Sequence, residues 1–317
     1  MRALVTGVAG FIGSHLAEHL LDAGHTVIGV DCFTDYYGEG LKRANLRASV
    51  DHPNFSFVET DLAKNLPDGL FDGIDSAFHL AGQPGVRSSW GDNFREYTSN
   101  NVDATQRLLE AARSSDIQRF VYSSSSSVYG NADVFPTQVS ALPKPKSPYG
   151  VTKLAAEHLC GVYASNFSVP TVSLRYFTVF GPRQRPDMAF TRFFRAILAE
   201  QPVPLYGNGT QIRDFSYVED VVRANVLAAT SDVQPGSVYN VAGGSSVSMN
   251  DVIGCMRDIT GQQVEIDYSG VVDGDVFRTG GDTTSTAEDL GWAPQIPLEE
   301  GLDRQWQWVL ASDSQTD

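Results

Sequence analysis

The stretch Ala3-Leu4-Val5-Thr6-Gly7-Val8-Ala9-Gly10-Phe11-Ile12-Gly13 decides the fold class of this chain. Its small hydrophobic residues predict a buried strand, and Ile12, Leu16 and Leu20 then recur at helical spacing. The glycines between strand and helix permit a tight turn and let the backbone approach a pyrophosphate at the helix N-terminus. A lone glycine motif is often only a turn, but a strand, a glycine turn and a helix in this order predict a dinucleotide-binding unit.

The residue that ends the second predicted strand indicates which dinucleotide the protein binds. Asp31 follows Gly13 by 18 residues, and a carboxylate there accepts hydrogen bonds from the adenosine ribose hydroxyls. The same charge repels a 2′-phosphate, so the sequence favours NAD over NADP. Asp61 and Leu62, after the third strand, are candidates to contact the adenine, and Asp61 is equally suited to cap a helix.

Buried strands and amphipathic helices alternate through the first half of the chain. The predicted strands are Ala3–Val5, Val27–Val30, Phe55–Val58, Ala77–Leu80 and Phe120–Tyr122, and the predicted helices lie near 11–23, 93–113 and 148–166. This alternation predicts an α/β fold with a doubly wound parallel Rossmann sheet.

After about residue 175 proline and glycine become frequent, which indicates a smaller α/β lobe over the carboxyl ends of the sheet. A helix from Tyr217 to Ala229 is expected to return to the first lobe. We therefore expect an NAD-binding domain of residues 1–175 plus about 214–241. The substrate-binding lobe would comprise residues 176–213 plus about 242–317.

Composition restricts the partners of the protein. The 317 residues carry a net charge of −15, which disfavours nucleic acid and anionic membranes, so an anionic ligand needs a local cationic pocket. Three widely spaced cysteines fit no disulfide or metal-ligand pattern and suit a reducing compartment. With no signal peptide before the glycine motif and no apolar stretch of membrane-spanning length, a cytoplasmic protein is expected.

Tyr149 and Lys153 stand four residues apart on a predicted helix, so both side chains leave the same face. An ammonium beside a phenol lowers the pKa of the phenol, and such a tyrosine can take a proton from a sugar hydroxyl. The run Ser123–Ser127 follows a strand at the edge where doubly wound folds bind ligands, and one of its hydroxyls could share the substrate proton. Taken alone, the pair could be surface residues and the serines a solvated loop.

Together these motifs resemble the extended short-chain dehydrogenase/reductases, and within them the NAD-dependent sugar-nucleotide 4-epimerases. Further matching segments are Asn101–Thr105, Arg175–Phe177, Arg213–Val218 and Gly274–Val276. The resemblance implies tightly bound NAD and the catalytic residues Ser125, Tyr149 and Lys153. The implied cofactor contacts are Gly7, Gly10, Phe11, Ile12, Gly13, Asp31, Asp61, Leu62, Leu80, Ala81, Gly82, Asn101, Tyr149, Lys153 and Tyr176.

The resemblance also argues against two related reactions. Related dehydratases place Asp-Glu directly after the catalytic residue, where this chain has Ser126 and Ser127. Related UDP-glucuronate decarboxylases carry a glutamate at the position of Ser127. Neither serine supplies a carboxylic acid, so elimination and loss of carbon dioxide are both disfavoured.

The stretch Arg175–Phe190 is the most informative about the sugar. UDP-galactose epimerases usually have asparagine at the position of Thr178, whereas threonine followed by Arg185-Pro186-Asp187-Met188 resembles UDP-glucuronate 4-epimerases. An arginine fork can hold a C6 carboxylate bidentately, and Arg185 is the expected ligand, with Thr178, Ser126 and Ser127 as supporting donors. A phosphate or surface contact is the alternative for Arg185.

Four further arginines are candidates for the UDP moiety. The family resemblance assigns Arg213 to the diphosphate, and Arg87, Arg192 and Arg278 are additional candidates, although each could be a solvated surface charge. Relatives often carry another basic residue near the Gly-Asp-Val motif, whereas this chain has Val271-Val272-Asp273 before it, which leaves the second phosphate ligand open.

The expected activity is reversible C4 epimerisation of a UDP-sugar, with UDP-glucuronate favoured. The alternatives are a UDP-glucose or UDP-N-acetylglucosamine 4-epimerase, a non-catalytic NAD sensor, and a one-way NAD oxidoreductase. Family resemblance of the helices near 93–113 and 148–166 also implies a homodimer.

Overall fold

A computed structural model describes residues 1–270 and 276–313. Its strands are β1 Arg2–Thr6, β2 Thr26–Asp31, β3 Phe55–Glu59, β4 Ser76–His79, β5 Arg119–Ser125, β6 Thr171–Tyr176, β7 Thr178–Phe180, β8 Val203–Tyr206, β9 Ile212–Tyr217, β10 Ser237–Val241, β11 Ser246–Ser248 and β12 Ile266–Ser269. Its α-helices are α1 Phe11–Asp22, α2 Glu39–Asn45, α3 Arg47–Val50, α4 Phe94–Tyr97, α5 Ala104–Arg113, α6 Pro148–Phe167, α7 Ala189–Leu198, α8 Val218–Thr230, α9 Met249–Thr260, α10 Thr284–Leu290 and α11 Leu298–Asp313. A π-helical segment, Thr98–Asp103, joins α4 to α5.

Seven parallel strands form the main sheet in the order β10-β6-β5-β4-β1-β2-β3. The strand order reverses between β1 and β4, and ligands of doubly wound sheets bind outside the carboxyl ends of the strands at this point. The predicted doubly wound Rossmann sheet is therefore confirmed, and the expected site lies where β1, β4 and β5 end.

Alternate residues of the central strands enter two separate cores, one on each face of the sheet. On one face Val5 and Val121 pack with Leu16 of α1, and on the other face Leu4 and Phe120 pack with Leu108 of α5. Since helices cover both faces, the central strands are buried along almost their whole length. This explains why they appear in the sequence as short apolar runs.

Helix α6, which carries Tyr149 and Lys153, begins at a well-formed cap. The hydroxyl of Ser147 accepts a hydrogen bond from the Gly150 amide at 3.1 Å, and Pro148 occupies the first turn. The helix ends at Ser168, whose backbone is left-handed with φ 58°. Both ends are thus fixed by local sequence, and the cap sets where the first helical turn meets the sheet.

Two small sheets make up the rest of the strand structure, one of β11-β9-β7 and one of β12-β8. Strand β9 pairs with β7 and β11, whereas α8 and β10 return to the main sheet. The expected domain boundary near residue 214 falls inside β9, and the division into two domains stays a prediction.

The segment that follows β7 is fastened to other parts of the molecule. Arg183, in the left-handed region with φ 63°, donates to Glu18 at 2.9 Å and to Ser14 at 3.3 Å, both on α1. Its neighbour Gln184 accepts a hydrogen bond from Gln305 of α11 at 3.1 Å. These contacts hold the segment between the first and last helices of the chain.

Across the described residues, no helix has the length and apolar character needed to cross a bilayer.

Candidate active site

The turn between β1 and α1 is shaped for close approach of a ligand. Gly7 has φ 69°, and a Cβ there would lie 2.7 Å from the backbone nitrogen of Ala81, while a Cβ on Gly13 would collide with the Gly7 carbonyl. Helix α1 has no side-chain cap at Gly10 and no acidic residue in its first turn. Its N-terminal amides therefore face the carboxyl edge of the sheet, as binding of a pyrophosphate requires.

The carboxylate of Asp31 stabilises this turn, and it also lines the cleft next to the turn. One carboxylate oxygen accepts from the Ala9 amide at 3.1 Å and the other from the Phe33 amide at 2.9 Å. Each oxygen retains a second acceptor position for a ribose hydroxyl. Asp61 accepts from the Ala63 amide at 3.0 Å and pairs with Lys64 at 2.8 Å, so it caps a turn rather than a helix.

A cleft of about 410 Å³ runs along the carboxyl edge from the glycine turn to β5 and α6. Of the residues expected to contact NAD, those that line it are Gly7, Gly10, Phe11, Ile12, Gly13, Asp31, Asp61, Leu62, Leu80, Ala81, Gly82, Tyr149, Lys153 and Tyr176. We call this cleft the cofactor cleft. An elongated dinucleotide fits a site that begins at a helix N-terminus and ends beside a buried tyrosine and lysine.

Asn101 does not line the cofactor cleft. Its side chain is buried behind the wall, where it accepts from the Gln83 amide at 2.6 Å and donates to Gln83 and Thr152. The oxygen of its amide would lie 2.7 Å from a Cβ on Gly82. The expected direct contact is therefore replaced by a supporting role, in which Asn101 holds the loop that forms the wall.

Lys42 of α2 lines the cleft together with Asp31, and no sequence motif predicts it as a site residue. Its ammonium donates to the Thr34 carbonyl at 2.5 Å and to the Thr34 hydroxyl at 2.9 Å. Burial lowers the pKa of Lys42, and the charge of Asp31 opposes this shift. The helix that carries Lys42 is only seven residues long and belongs to no motif, which is why the residue was missed.

Ser125, Tyr149 and Lys153 come together at the end of the cofactor cleft. Ser125 is the last residue of β5, Tyr149 lies in the first turn of α6, and both side chains line the cleft. Lys153 lies one turn further along α6 and donates to the Ser123 carbonyl at 2.6 Å. All three side chains line the same cavity, as the sequence predicts.

The electrostatics of this group differ from the expectation. Burial raises the pKa of Tyr149, and the hydrogen bond from Ser125 and the charge of Arg185 oppose that rise. Burial lowers the pKa of Lys153 to about 8. The expected lowering of the tyrosine pKa by Lys153 is not seen, because the ammonium is directed to the Ser123 carbonyl.

A second cavity of about 700 Å³ opens from the first, and we call it the arginine cavity. Arg87, Arg192 and Arg213 line it, and the ring of Tyr206 lies 4.0 Å from the Arg87 guanidinium and 5.4 Å from that of Arg192. The cleft and the cavity share the wall residues Ser126, Ser127, Thr178 and Arg185. The two spaces therefore meet beside the serine and tyrosine.

Arg278 lies outside both spaces. Its side chain is exposed, and its guanidinium lies 4.7 Å from the ring of Phe135. The guanidinium thus stacks on Phe135 in this structure, and the contact of Arg278 with substrate stays a prediction. Gly274 and Asp275 of the Gly-Asp-Val motif lie outside the described residues.

Arg185 is held by a carboxylate two residues further along the chain. Its Nε and Nη2 each donate to Asp187 at 2.9 Å, and the Tyr36 hydroxyl donates to the same carboxylate at 3.3 Å. The Arg185 side chain is only 18% exposed, against 41% for Asp187. The hydrogen bond from Tyr36 to Asp187 has no sequence signal, because the two residues lie far apart along the chain.

A buried ion pair supports the end of β5 from behind. Arg175 donates to both oxygens of Glu157, at 2.9 and 2.6 Å, and Ser124 donates to the same carboxylate at 2.6 Å. Arg175 also donates to the Tyr129 hydroxyl at 2.7 Å. The four side chains connect β5, β6, α6 and the turn after Ser125, and so fix the position of the strand end that carries this serine.

The sheet, the glycine turn and the Ser-Tyr-Lys group define an NAD-binding enzyme of the extended short-chain dehydrogenase/reductase class. The sequence profile described as "NAD dependent epimerase/dehydratase family" matches residues 3–242. The chain belongs to this family, and NAD is its cofactor.

Three similar proteins cover almost the whole chain. A Bacillus subtilis protein described as an uncharacterized UDP-glucose epimerase, YtcB, is 42% identical over 95% of this chain and 96% of its own length. The Bacillus cereus UDP-glucuronic acid 4-epimerase, solved with UDP-glucuronic acid and NAD, is 40% identical with a TM-score of 0.95, and the match covers 98% of this chain and 100% of that chain. The protein MoeE5, solved with NAD and either UDP-glucuronic acid or UDP-glucose, is 41% identical with a TM-score of 0.89, and covers 98% of this chain.

Proposed function

We propose that this protein is an NAD-dependent UDP-sugar 4-epimerase and that its preferred reaction interconverts UDP-glucuronate and UDP-galacturonate through a 4-keto sugar. The observation that carries the proposal is the meeting of two spaces. The cofactor cleft contains Ser125, Tyr149 and Lys153, and it opens beside Arg185 into a cavity lined by arginines. A nucleotide sugar seated there would place its ring next to the tyrosine.

Each catalytic side chain has a defined task in this reaction. NAD held in the cofactor cleft by the glycine turn and Asp31 would supply the acceptor, and then the donor, of the C4 hydride. Tyr149 removes the proton from the O4 hydroxyl, and the hydroxyl of Ser125, which lines the same end of the cleft, is placed to share this proton. Lys153, with a pKa lowered by burial to about 8, is placed to exchange a proton near neutral pH.

The residues after Ser125 favour epimerisation over its sister reactions. Ser126 and Ser127 form a short 3-10 turn at the end of β5 and line both spaces. The Ser127 amide donates to the Ser125 hydroxyl at 3.1 Å. Because neither residue is acidic, the turn supplies hydrogen-bond donors to the sugar but no acid for elimination.

The preference for a uronate depends on Arg185 and Thr178. Both residues border the sugar end of the cleft, and the guanidinium can donate two parallel hydrogen bonds to a C6 carboxylate. The similarity to the Bacillus cereus UDP-glucuronic acid 4-epimerase supports this choice. The alternative is a neutral sugar, UDP-glucose or UDP-N-acetylglucosamine. The ion pair between Arg185 and Asp187 and the similarity to YtcB favour that alternative, whereas MoeE5 is solved with both kinds of sugar.

The arginine cavity is the proposed site of the UDP moiety. Arg87, Arg192 and Arg213 concentrate positive charge there, although the whole chain carries −15. Two phosphate groups need such local charge, since the long-range field of the protein repels them. We assign the diphosphate to these three arginines, and Arg278 is left out because it lies on Phe135.

A second copy of the chain is the proposed partner of the exposed face of α6. Val151, Ala155, His158 and Val162 follow one another at helical spacing, and the two valines are 48% and 50% exposed. Such a stripe suits helix-on-helix packing, in agreement with the homodimer that the family resemblance implies. The free cysteines and the acidic composition are consistent with the cytoplasm as the compartment.

The homodimer is testable by light scattering on the purified protein. Val162→Glu should convert a dimer of about twice 34.4 kDa into a monomer, because it buries a charge in the apolar contact. Leu142→Glu is the control, since Leu142 is 73% exposed and lies away from α6. A wild-type protein that is already monomeric would contradict the proposal.

The proposed reaction is tested by incubating the purified protein with UDP-glucuronate, without added cofactor, and identifying the products by NMR. We expect UDP-galacturonate, no net release of NADH, and slower conversion of UDP-glucose in a parallel reaction. Faster conversion of UDP-glucose would favour the neutral-sugar alternative. Bound NAD without turnover of any UDP-hexose would favour a non-catalytic sensor, and net NADH release would indicate a one-way oxidoreductase.

A further inference from the structure

The charge offered to the sugar depends on a pair of residues rather than on Arg185 alone. Arg185 lines both the cofactor cleft and the arginine cavity, whereas Asp187 lines only the arginine cavity. Their side chains form two parallel hydrogen bonds of 2.9 Å, which use the Nε and Nη2 atoms of the guanidinium. The edge that contains Nη1 is the one left to face a ligand.

Asp187 is held in this position from the opposite side of the cleft. The hydroxyl of Tyr36 donates to Asp187 at 3.3 Å and lies 3.4 Å from the Ser88 hydroxyl, which is in turn 2.7 Å from the Tyr97 hydroxyl. Tyr97 packs edge-to-face against Tyr149, with 6.2 Å between ring centroids. The carboxylate is thus fixed by a chain of side chains that reaches the catalytic tyrosine.

We infer that Asp187 is a specificity-determining residue that neutralises Arg185 and thereby lets the cleft accept neutral hexoses beside uronates. This inference rests on the proposed contact between Arg185 and C6 of the sugar. Asp187 is a resident carboxylate at the same guanidinium, so a sugar carboxylate approaches a neutral pair and also meets a like charge. A hydroxymethyl group at C6 is uncharged and is not repelled by Asp187. The neutral Arg185–Asp187 pair therefore binds it as well as it binds a carboxylate.

The ionisation state of Asp187 agrees with this role. Burial raises the pKa of the carboxyl, but the hydrogen bonds and charge of Arg185 outweigh burial, and the pKa lies below its ordinary value. Asp187 is therefore an anion at neutral pH, and its charge is present whenever substrate binds. Asparagine has nearly the same shape and keeps one oxygen that accepts from Arg185, so Asp187→Asn removes the charge with little change in geometry.

The test is a binding measurement on the NAD-loaded protein and its Asp187→Asn variant. Calorimetric dissociation constants for UDP-glucuronate and UDP-glucose give the ratio of the two affinities. We expect the variant to bind UDP-glucuronate about tenfold more tightly, because one nearby like charge is gone, and UDP-glucose within about twofold of wild type. Raising the salt concentration should reduce the difference.

Glu300→Gln is the matched control. It also removes one negative charge from an arginine pair, because Glu300 accepts from Arg304 at 2.6 Å on the surface of α11. This variant should bind both nucleotide sugars as wild type does. If it reproduces the effect of Asp187→Asn, the change follows from net charge and the inference is wrong.

Two other results would also overturn the inference. Equal weakening of both ligands in Asp187→Asn would make Asp187 an anchor for Arg185, and unchanged affinities would leave it without influence on specificity. The proposed reaction is judged separately, by wild-type turnover of the two sugars. Binding constants of the variant test Asp187 even if the wild-type protein converts only UDP-glucose.

Discussion

At the scale of single residues, Tyr149 is where burial and charge oppose each other. Burial raises the pKa of its phenol, and Ser125 and Arg185 counteract that effect from two sides of the cleft. Lys153, on the same face of α6, is hydrogen bonded to the Ser123 carbonyl. The tyrosine is therefore the proton-transfer group of the proposed reaction, and its environment decides at which pH it acts.

Tyr149→Phe removes the hydroxyl that takes the substrate proton but leaves the ring in place. Turnover of UDP-glucuronate should fall by about 10²–10⁴-fold, since general base catalysis contributes this much. NAD content, measured by absorbance after denaturation, should stay at the wild-type level because the ring still lines the cleft. Turnover near the wild-type rate would exclude Tyr149 as the base.

Arg185→Ala should change the products as well as the rate. The oxidised uronate is a β-keto acid that readily loses carbon dioxide, and a guanidinium that fixes the C6 carboxylate can hold it in an orientation that resists this loss. We expect more UDP-pentose relative to epimer, measured by NMR of the reaction mixture. An unchanged product ratio, with UDP-glucose turnover as the reference, would contradict the role of Arg185 at C6.

Motifs located half of the residues that line the cofactor cleft, but they could not predict the contacts between residues far apart in sequence. Only the family resemblance selects Ser125 among the five serines, and the structure places Ser125 in the lining of the same cleft as Tyr149. The bonds from Tyr36 to Asp187 and from Lys42 to Thr34 were missed. Neither has a sequence pattern, because their geometry arises only when the loop after β2 folds over the cleft.

At the scale of elements, the position of β5 depends on a charged pair buried beneath it. Glu157 of α6 and Arg175 of β6 are almost fully buried and form hydrogen bonds of 2.6 and 2.9 Å. Burial disfavours the Arg175 cation, but the hydrogen bonds and charge of Glu157 keep the pKa of Arg175 above its ordinary value. The pair therefore stays charged, and each partner depends on the other.

Glu157→Gln should destabilise the protein much more than loss of an exposed pair. The change leaves the buried guanidinium of Arg175 without its counter-ion, which costs about 3–5 kcal/mol in the free energy of unfolding. Glu39→Gln is the control, because the pair with Arg43 is more than half exposed, and water weakens the attraction between its charges. Equal stability of the two variants by denaturant unfolding would contradict this account.

Element prediction succeeded where burial was continuous and failed where elements were short. The apolar runs predicted β1 to β5 to within a few residues because both faces of that sheet are covered. The helix expected over 93–113 is interrupted by the π-helical segment, a distortion without a hydrophobic period of its own. The three-residue strands β7 and β11 are too short for alternation to be recognised.

At the scale of the whole molecule, the buried carboxylate of Asp214 connects β9 to two later segments of the chain. Its oxygens accept from the Gly244 amide at 3.0 Å and the Gly281 amide at 3.3 Å, and its own amide donates to Thr279. Burial raises the pKa of Asp214 to about 6 in spite of these hydrogen bonds. Segments far apart in sequence thus meet at a group that titrates in the mildly acidic range.

The stability contributed by Asp214 should fall as pH rises. Between about pH 4 and 6 the folded state keeps the Asp214 proton while the unfolded chain releases it, so the free energy of unfolding decreases with pH. Relative to Asp214→Asn, wild type should lose about 2–3 kcal/mol over this range in denaturant unfolding. Asp282→Asn should show the opposite slope, because hydrogen bonds from Thr284 lower the pKa of Asp282. If the difference in the free energy of unfolding between wild type and Asp214→Asn does not change with pH, the raised pKa of Asp214 is contradicted.

The hydrogen bonds from Arg183 to helix α1 bear on the coupling between dinucleotide binding and sugar-nucleotide binding. Arg183 holds Glu18 and Ser14 on the helix whose first turn faces the pyrophosphate site, and Arg185 stands two residues further along the same backbone. Any shift of that helix on loading with dinucleotide would reach Arg185, the residue proposed to face the sugar, through these bonds. Protein without dinucleotide and protein loaded with it should accordingly differ in their relative affinities for the nucleotide sugars. The coupling is reciprocal, so the bound sugar should also change the affinity for the dinucleotide.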